Sequence, residues 1–157
     1  RGIVYLRTMR QATPVIYESG DTFPIGGSKV LRQGPSDRLT LVGAGATVHE
    51  ALTAHEQLQR DGIAVRVIDA YSVKPLDIET LTHAARETRR IFVIEDHWID
   101  GGLGDAVASA LGGVVPVETL AVMEEPRSGR MEELLERHHI SSHAISNAVM
   151  AEAAVAH

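Results

Sequence analysis

At 157 residues the chain is long enough for one ordinary domain with a core and an extended flank, but not for a second full domain. A formal net charge of −6 argues against nucleic-acid binding, and no run approaches the ~20 apolar residues of a membrane span. The sequence has no cysteine, which excludes disulfides, thiolate metal sites and a cysteine nucleophile, so a cytoplasmic location is expected.

The first part of the chain is poor in regular patterns. Residues 2–6 form a β-rich run that has no upstream partner strand, so we expect a strand that belongs to a larger protein. Residues 11–36 contain many glycines and prolines with little periodicity, which is typical of a surface linker. Because the first residue is Arg1 and not Met, we expect the chain to be a fragment.

From Leu39 onward, short aliphatic runs alternate with helical periods. Such alternation predicts strands separated by helices, and hence a largely parallel sheet. Thr47 and Glu50 form a possible capping box for the first helix, Asp77 is the expected cap of the second, and the third begins near Leu103. Two short helices are expected near residues 131–135 and 145–153. The predicted strands cover residues 39–44, 64–69, 91–95 and 117–122.

The glycine turn at residues 43–48 imitates a dinucleotide-binding fingerprint, because it follows a strand and opens a helix, and Asp69 ends the next strand. The fingerprint requires a third small residue, and Val48 occupies that position. We therefore prefer a tight turn with free amides at the helix start. The alternative of a different class is a stand-alone module that binds a nucleotide or another anion at Gly43, which saturable nucleotide binding would favour.

The sequence contains eight histidines, which is many for a chain of this length and raises the question of a metal site. His139 and His143 would share a face of a continuous helix, with a spacing that suits a metal ion. Ser141 and Ser142 are expected to break that helix, and His49-Glu50 lacks the second histidine of a zinc-protease motif. No metal site is therefore predicted.

Residues 95–98 end a strand, where open α/β sheets place functional groups. We favour an interface with a neighbouring domain for His97 and Trp98, because Trp offers a large apolar surface with one donor. Arg7 and Arg10 surround the end of the first strand, where a guanidinium would either hold a phosphate by paired hydrogen bonds or stay solvated. The turn at residues 126–129 has amides and an arginine that suit an anion, but such turns are common without function.

Taken together, these segments resemble the carboxyl-terminal domain of the transketolases. Glu-Asp-His at 95–97 and Pro-Arg-Ser-Gly at 126–129 favour that family over deoxyxylulose-phosphate synthase and the beta subunits of 2-oxo acid dehydrogenases, which have a similar terminal domain. The matching segments are residues 2–8, 42–52, 67–69, 74–77, 93–98, 101–104, 120–122, 126–129 and 133–135.

The resemblance implies a three-layer α/β sandwich with a mostly parallel sheet of about five strands. Residues 39–157 would be the transketolase C-terminal domain, and residues 1–38 the end of the preceding pyrimidine-binding domain and a linker. The whole enzyme would move a two-carbon ketol unit between sugar phosphates of the pentose phosphate pathway. It would use thiamine diphosphate and magnesium bound by upstream domains, and it would form a homodimer through this domain.

The resemblance also assigns roles to residues. The arginine that contacts the sugar phosphate in this family matches Arg7, with Arg10 as the second candidate. The metal-binding segment and the glutamate that activates the cofactor have no counterpart in this sequence. No catalytic, cofactor-binding or metal-binding residue is therefore expected here, and the chain alone should be inactive.

Overall fold

A computed structural model describes residues 2–9 and 12–155 of the chain. Five strands and five helices alternate through most of it. No described helix is both long and apolar enough to cross a membrane. The elements are β1 (Lys29–Arg32), β2 (Leu39–Gly43), α1 (Ala46–Arg60), β3 (Val65–Asp69), α2 (Ile78–Thr88), β4 (Ile91–Trp98), α3 (Leu103–Leu111), β5 (Val117–Val122), α4 (Met131–Arg137) and α5 (Ser142–Val155).

The five strands form one sheet in the order β1-β3-β2-β4-β5. Strands β2 to β5 are parallel, and β1 pairs antiparallel with β3 at one edge. All residues of β2 and β3 are buried, as expected for central strands of a parallel sheet that helices cover on both faces. The prediction of a mostly parallel sheet of about five strands is confirmed.

Two hydrophobic clusters lie on opposite faces of the sheet and make the fold a three-layer sandwich. Successive side chains of a strand point to opposite faces. Accordingly, Phe92 packs into the cluster of α1 and α5, and Val93 into the cluster of α2 and α3. Leu58 and Ile145 cover the first face. Both faces of the sheet are therefore covered, and α/β proteins of this kind place their ligands at the carboxyl ends of the strands.

One expectation about the first 36 residues needs correction, and one stays a prediction. Residues 2–9 form no strand here, since a strand needs a hydrogen-bonded partner and none lies beside them in the described part of the chain, so a strand within the larger protein stays a prediction. Lys29–Arg32, in the expected linker, instead form β1 at the sheet edge. The antiparallel hydrogen bonds between β1 and β3 hold this segment at the sheet edge.

Helix starts were predicted with mixed success. Asp77 caps α2 as expected, accepting a hydrogen bond from the Thr80 N–H at 3.0 Å. The capping box at α1 is wrong, because Gly45 is the cap and Thr47 donates across to the Ile94 carbonyl. The Glu50 carboxylate instead accepts the Ser142 N–H at the start of α5, at 2.7 Å.

Candidate functional site

The carboxyl ends of the four parallel strands meet at one edge of the sheet, where α/β proteins place their ligands. Gly43, Asp69 and Asp96 lie at or near the ends of β2, β3 and β4. The segment around Arg7 runs over this edge, although it lies far away in the sequence. The edge is therefore the candidate functional site of the chain.

Arg7 forms a bidentate ion pair with Asp96. Its Nη1 and Nη2 donate to the two carboxylate oxygens at 2.7 and 2.9 Å. The Arg7 side chain is 54% exposed and that of Asp96 is 22% exposed. These hydrogen bonds raise the pKa of the Arg7 guanidinium, with desolvation acting in the opposite direction. The cation is fixed at this position yet remains open to solvent.

A cleft of about 680 Å³ lies beside this pair. Its walls are mostly apolar and come from the first residues of the chain, from the end of β5, from α4 and from the loop that joins them. Arg7 and Arg127 contribute two guanidinium groups, against the single carboxylate of Asp96. The lining residues are Arg7, Thr8, Met9, Ala46, Asp96, Val122, Pro126, Arg127, Gly129, Met131, Leu134, Leu135, His138 and Ile140.

The structure thus brings together two sites that the sequence treated separately. Arg7 and the turn at residues 126–129 line the same cleft, which makes the turn a candidate anion-binding element. Asp96 was part of a suggestive motif but was not identified as a partner of Arg7. No local signal could have found that contact, since 89 residues separate the two. Arg10 lies outside the described residues.

Glu95 binds the start of α3 and does not line the cleft. Its buried carboxylate accepts the N–H groups of Leu103 and Gly104, which places a negative charge at the start of α3. Burial raises the pKa of Glu95, while the Gly104 N–H and the nearby His97 act in the opposite direction. Gly102 has no room for a side chain, because an added Cβ would collide with Glu95 and with His97.

His97 and Trp98 lie at the surface next to this cap. The His97 Nε2 atom is 3.3 Å from Glu95 Oε2, and its side chain is 41% exposed. Trp98 is 48% exposed, and its indole N–H donates to Asp100 at 2.9 Å. Neither residue lines the cleft. A half-exposed Trp has the chemistry of an interface residue, and that role stays a prediction.

The glycine turn after β2 packs against the first residues of α1, Thr47 and Val48. An added Cβ on Gly43 would lie 3.0 Å from both Thr47 Oγ1 and the Val48 amide nitrogen. The Ala44 N–H already donates to Thr47 Oγ1 at 3.1 Å, so this amide has a partner within the chain. Gly45 has a φ of 65°, a conformation that favours glycine. Close packing of α1 on the sheet therefore accounts for Gly43, and the positive φ accounts for Gly45.

Asp69, His139 and His143 do not line the cleft. Asp69 is buried and accepts a hydrogen bond from the Tyr17 hydroxyl, and burial raises its pKa against the effect of that hydrogen bond. His139 and His143 lie on two separate helix ends, because α4 ends at Arg137 and His139 has a φ of 57°. Among residues 2–9 and 12–155, no three His, Asp or Glu side chains form a metal-binding group.

The sequence matches the family model of the transketolase C-terminal domain over residues 27–145. Mouse transketolase is 43% identical over 152 residues, which cover 95% of this chain and 24% of that protein. Mouse transketolase-like protein 2 is 45% identical over the same coverage. The chain therefore spans about a quarter of the length of the curated relatives it matches.

Solved structures agree with this relationship. A split-gene transketolase, described as an inactive beta4 tetramer, is 34% identical with a TM-score of 0.84, over 90% of this chain and 46% of that one. Transketolase from Campylobacter jejuni has a TM-score of 0.62 at 15% identity, over 86% of this chain and 20% of that one, which shows a shared fold. The chain belongs to the transketolase C-terminal domain family.

Proposed function

We propose that the protein carrying this chain is a transketolase, which transfers a two-carbon ketol unit from a ketose phosphate to an aldose phosphate. The observation that carries this proposal is the 43% identity to a transketolase over 95% of the chain. Thiamine diphosphate would supply the carbanion chemistry in the whole enzyme. The motifs at residues 95–97 and 126–129 favour this reaction over those of the related synthase and dehydrogenases.

The role proposed for this chain is packing and dimer formation, with no catalytic step of its own. Thiamine diphosphate and its magnesium ion are assigned to upstream domains, as the resemblance implies. The oligomer recorded for the split-gene relative supports a self-associating domain, and a homodimer is the assembly we propose. A cytoplasmic location stays a prediction.

Arg7 is the proposed link between this chain and the substrate. Its guanidinium lies at the carboxyl edge of the sheet, is half exposed and lines the cleft. A guanidinium holds a phosphate by paired, charge-assisted hydrogen bonds, which orients a sugar without taking part in bond breaking. We propose that Arg7 binds the phosphate of the sugar, with Arg10 as a second candidate.

His97 and Trp98 are proposed to contact a neighbouring domain or subunit. Trp98 presents about half of its surface to solvent beside a rigid helix start. Aromatic residues are enriched at interfaces because they bury a large area with little loss of side-chain freedom. The upstream domains and the second subunit are the partners that fit this surface.

The test uses the intact protein with its upstream domains, supplied with thiamine diphosphate and magnesium. One reaction offers xylulose 5-phosphate with ribose 5-phosphate, and the other offers pyruvate with glyceraldehyde 3-phosphate. We expect turnover in the first reaction only. Turnover only in the second would identify a deoxyxylulose-phosphate synthase. Activity in neither, together with saturable nucleotide binding, would favour the stand-alone module that binds a nucleotide or another anion at Gly43.

A further inference from the structure

We propose that an exposed apolar surface beside the end of β3 is a face through which two copies of this chain meet. The surface consists of residues 23–28, which precede β1, and residues 71–78, which follow β3, and we call it the connector surface. This inference rests on the proposed homodimer and names the face through which this domain takes part in it.

The two segments of the connector surface lie side by side although more than 40 residues separate them in the sequence. The Gly26 N–H donates to Ser72 Oγ at 2.9 Å, and the Tyr71 hydroxyl donates to the Pro24 carbonyl at 3.3 Å. The Phe23 and Tyr71 rings pack edge to face, with centroids 5.1 Å apart. The segments therefore form one continuous surface.

Four large apolar side chains of the connector surface are open to solvent. Their exposed fractions are 76% for Ile25, 52% for Ile78, 45% for Phe23 and 44% for Val73. An isolated apolar residue at a protein surface is ordinary, but a contiguous group of them marks an interaction site. The connector surface therefore has the chemistry of an interface that is uncovered in the single chain.

The connector surface is anchored to the sheet before any partner arrives. The Tyr17 hydroxyl donates to Asp69, the buried last residue of β3. Lys29 of β1 forms an ion pair with Asp21, and its Nζ lies 4.7 Å from the centroid of the Phe23 ring. A surface that is already ordered loses less conformational entropy when it binds. These anchors therefore favour association.

The charges on the connector surface point to a second copy as its partner. Lys74 and Glu79 are both exposed, and the ion pairs of the described residues include neither of them. A two-fold dimer brings the same patch of both subunits together, so the patch must complement itself. An apolar centre with one free charge of each sign does so, because Lys74 of one copy can face Glu79 of the other.

The first experiment tests which surfaces meet. The chain has no cysteine, so Ile25→Cys, Val73→Cys and Ile78→Cys each place a single thiol in it. The intact protein is treated with a short bismaleimide, and the linked peptides are identified by mass spectrometry. A two-fold axis through the surface brings at least one of the three positions close to its own copy, so we expect a peptide linked to itself. The matched control is Val114→Cys, 55% exposed before the start of β5, which should give no such link.

The second experiment tests the charges. Lys74→Glu and Glu79→Lys each place like charges across the two-fold axis, which weakens association. We expect subunits to exchange at least about tenfold faster between two differently tagged samples of either variant, because changes at an interface act mainly on dissociation. The double variant exchanges the two charges and should restore the original rate to within about threefold.

Sedimentation of the intact protein separates the failure of this inference from that of the proposed homodimer. If the protein is a dimer but the three thiols give no self-linked peptide, or link only to an upstream domain, the connector surface is not the dimer face and the homodimer stands. Unchanged exchange rates in both charge variants lead to the same conclusion. If the intact protein sediments as a monomer, both proposals fall.

Discussion

The contact between α3 and β5 offers a sharp test of the packing. Gly104 lies in the first turn of α3 and is buried against Thr119 of β5. A Cβ added at Gly104 would lie 2.6 Å from Thr119 Cγ2 and 3.0 Å from its Cβ, with Oγ1 closer still. Rotation of the Thr119 side chain cannot relieve the contact with its Cβ. Gly104→Ala must therefore move the helix away from the sheet.

The expected cost combines two opposing effects. Overpacking of a core costs about 1–3 kcal/mol, and three close contacts with a stiff β-branched residue place this case near the upper value. Alanine gains about 1 kcal/mol over glycine in a helix, which opposes the strain. Gly104→Ala should therefore lower the unfolding free energy by about 2 kcal/mol. With a urea m-value of about 2 kcal/mol/M, the midpoint would fall by about 1 M.

Urea denaturation of the 157-residue chain and a double-mutant cycle check this value. Thr119→Ala removes Oγ1 and Cγ2, so it should recover at least about 1 kcal/mol when combined with Gly104→Ala. By itself, Thr119→Ala should cost less than about 1 kcal/mol, since Thr119 is only partly buried. A neutral Gly104→Ala variant, or additive effects of the two substitutions, would show that α3 does not lie this close to β5.

Substitutions at three further positions test the helix ends. Asp77→Ala should cost about 1 kcal/mol, because Asp77 caps α2 through the Thr80 N–H. Thr47→Val should cost about 1–3 kcal/mol, since the buried hydroxyl donates to the Ile94 carbonyl at 2.8 Å, and Thr47→Ser should cost much less. Burial raises the pKa of Glu95 above its usual 4.5, so the folded state holds this proton more strongly and stability falls as pH rises. Glu95→Gln should flatten that fall above pH 4.5.

Urea midpoints measured between pH 4 and pH 8 check the substitutions at all three positions. A Thr47→Ser variant as unstable as Thr47→Val would point to lost packing and not to a lost hydrogen bond. An Asp77→Ala variant with the stability of the unchanged chain would contradict the cap. A pH profile that Glu95→Gln leaves unaltered would show that the Glu95 carboxyl titrates in the folded state as it does in the unfolded chain.

The parallel core could be predicted from the sequence because its strands are continuous apolar runs. The strands β2 and β3 can be predicted from their own apolar residues, without knowing which strands lie beside them. The predicted run at 117–122 matches β5. The strand β1 was missed, since Lys29–Arg32 is short and half-buried between glycines. Its hydrogen bonds to β3 stabilise it, and an edge pairing of this kind leaves little local signal.

The candidate site could be predicted only in part. The resemblance made Arg7 a candidate, and that role stays a prediction. Its contact with Asp96 depends on how the first residues lie across the sheet edge, and no spacing rule encodes that. The α1 capping box failed because the helix begins at Ala46 with Gly45 as its cap, so Thr47 lies inside the first turn. Its hydroxyl there accepts the Ala44 N–H and donates to the Ile94 carbonyl of the adjacent strand. A local motif predicts a local contact, and a competing partner from another element can replace it.

We propose that this chain contributes phosphate recognition through Arg7, and no catalytic step, to a transketolase. The most direct measurement is kcat/KM of the intact enzyme and of its Arg7→Ala variant, with phosphorylated and unphosphorylated sugars side by side. Loss of a charge-assisted hydrogen-bond pair, about 1.5–3 kcal/mol, predicts a fall of roughly 10- to 150-fold for the phosphorylated sugars and no change for the others. An equal loss for both kinds of sugar would contradict the claim.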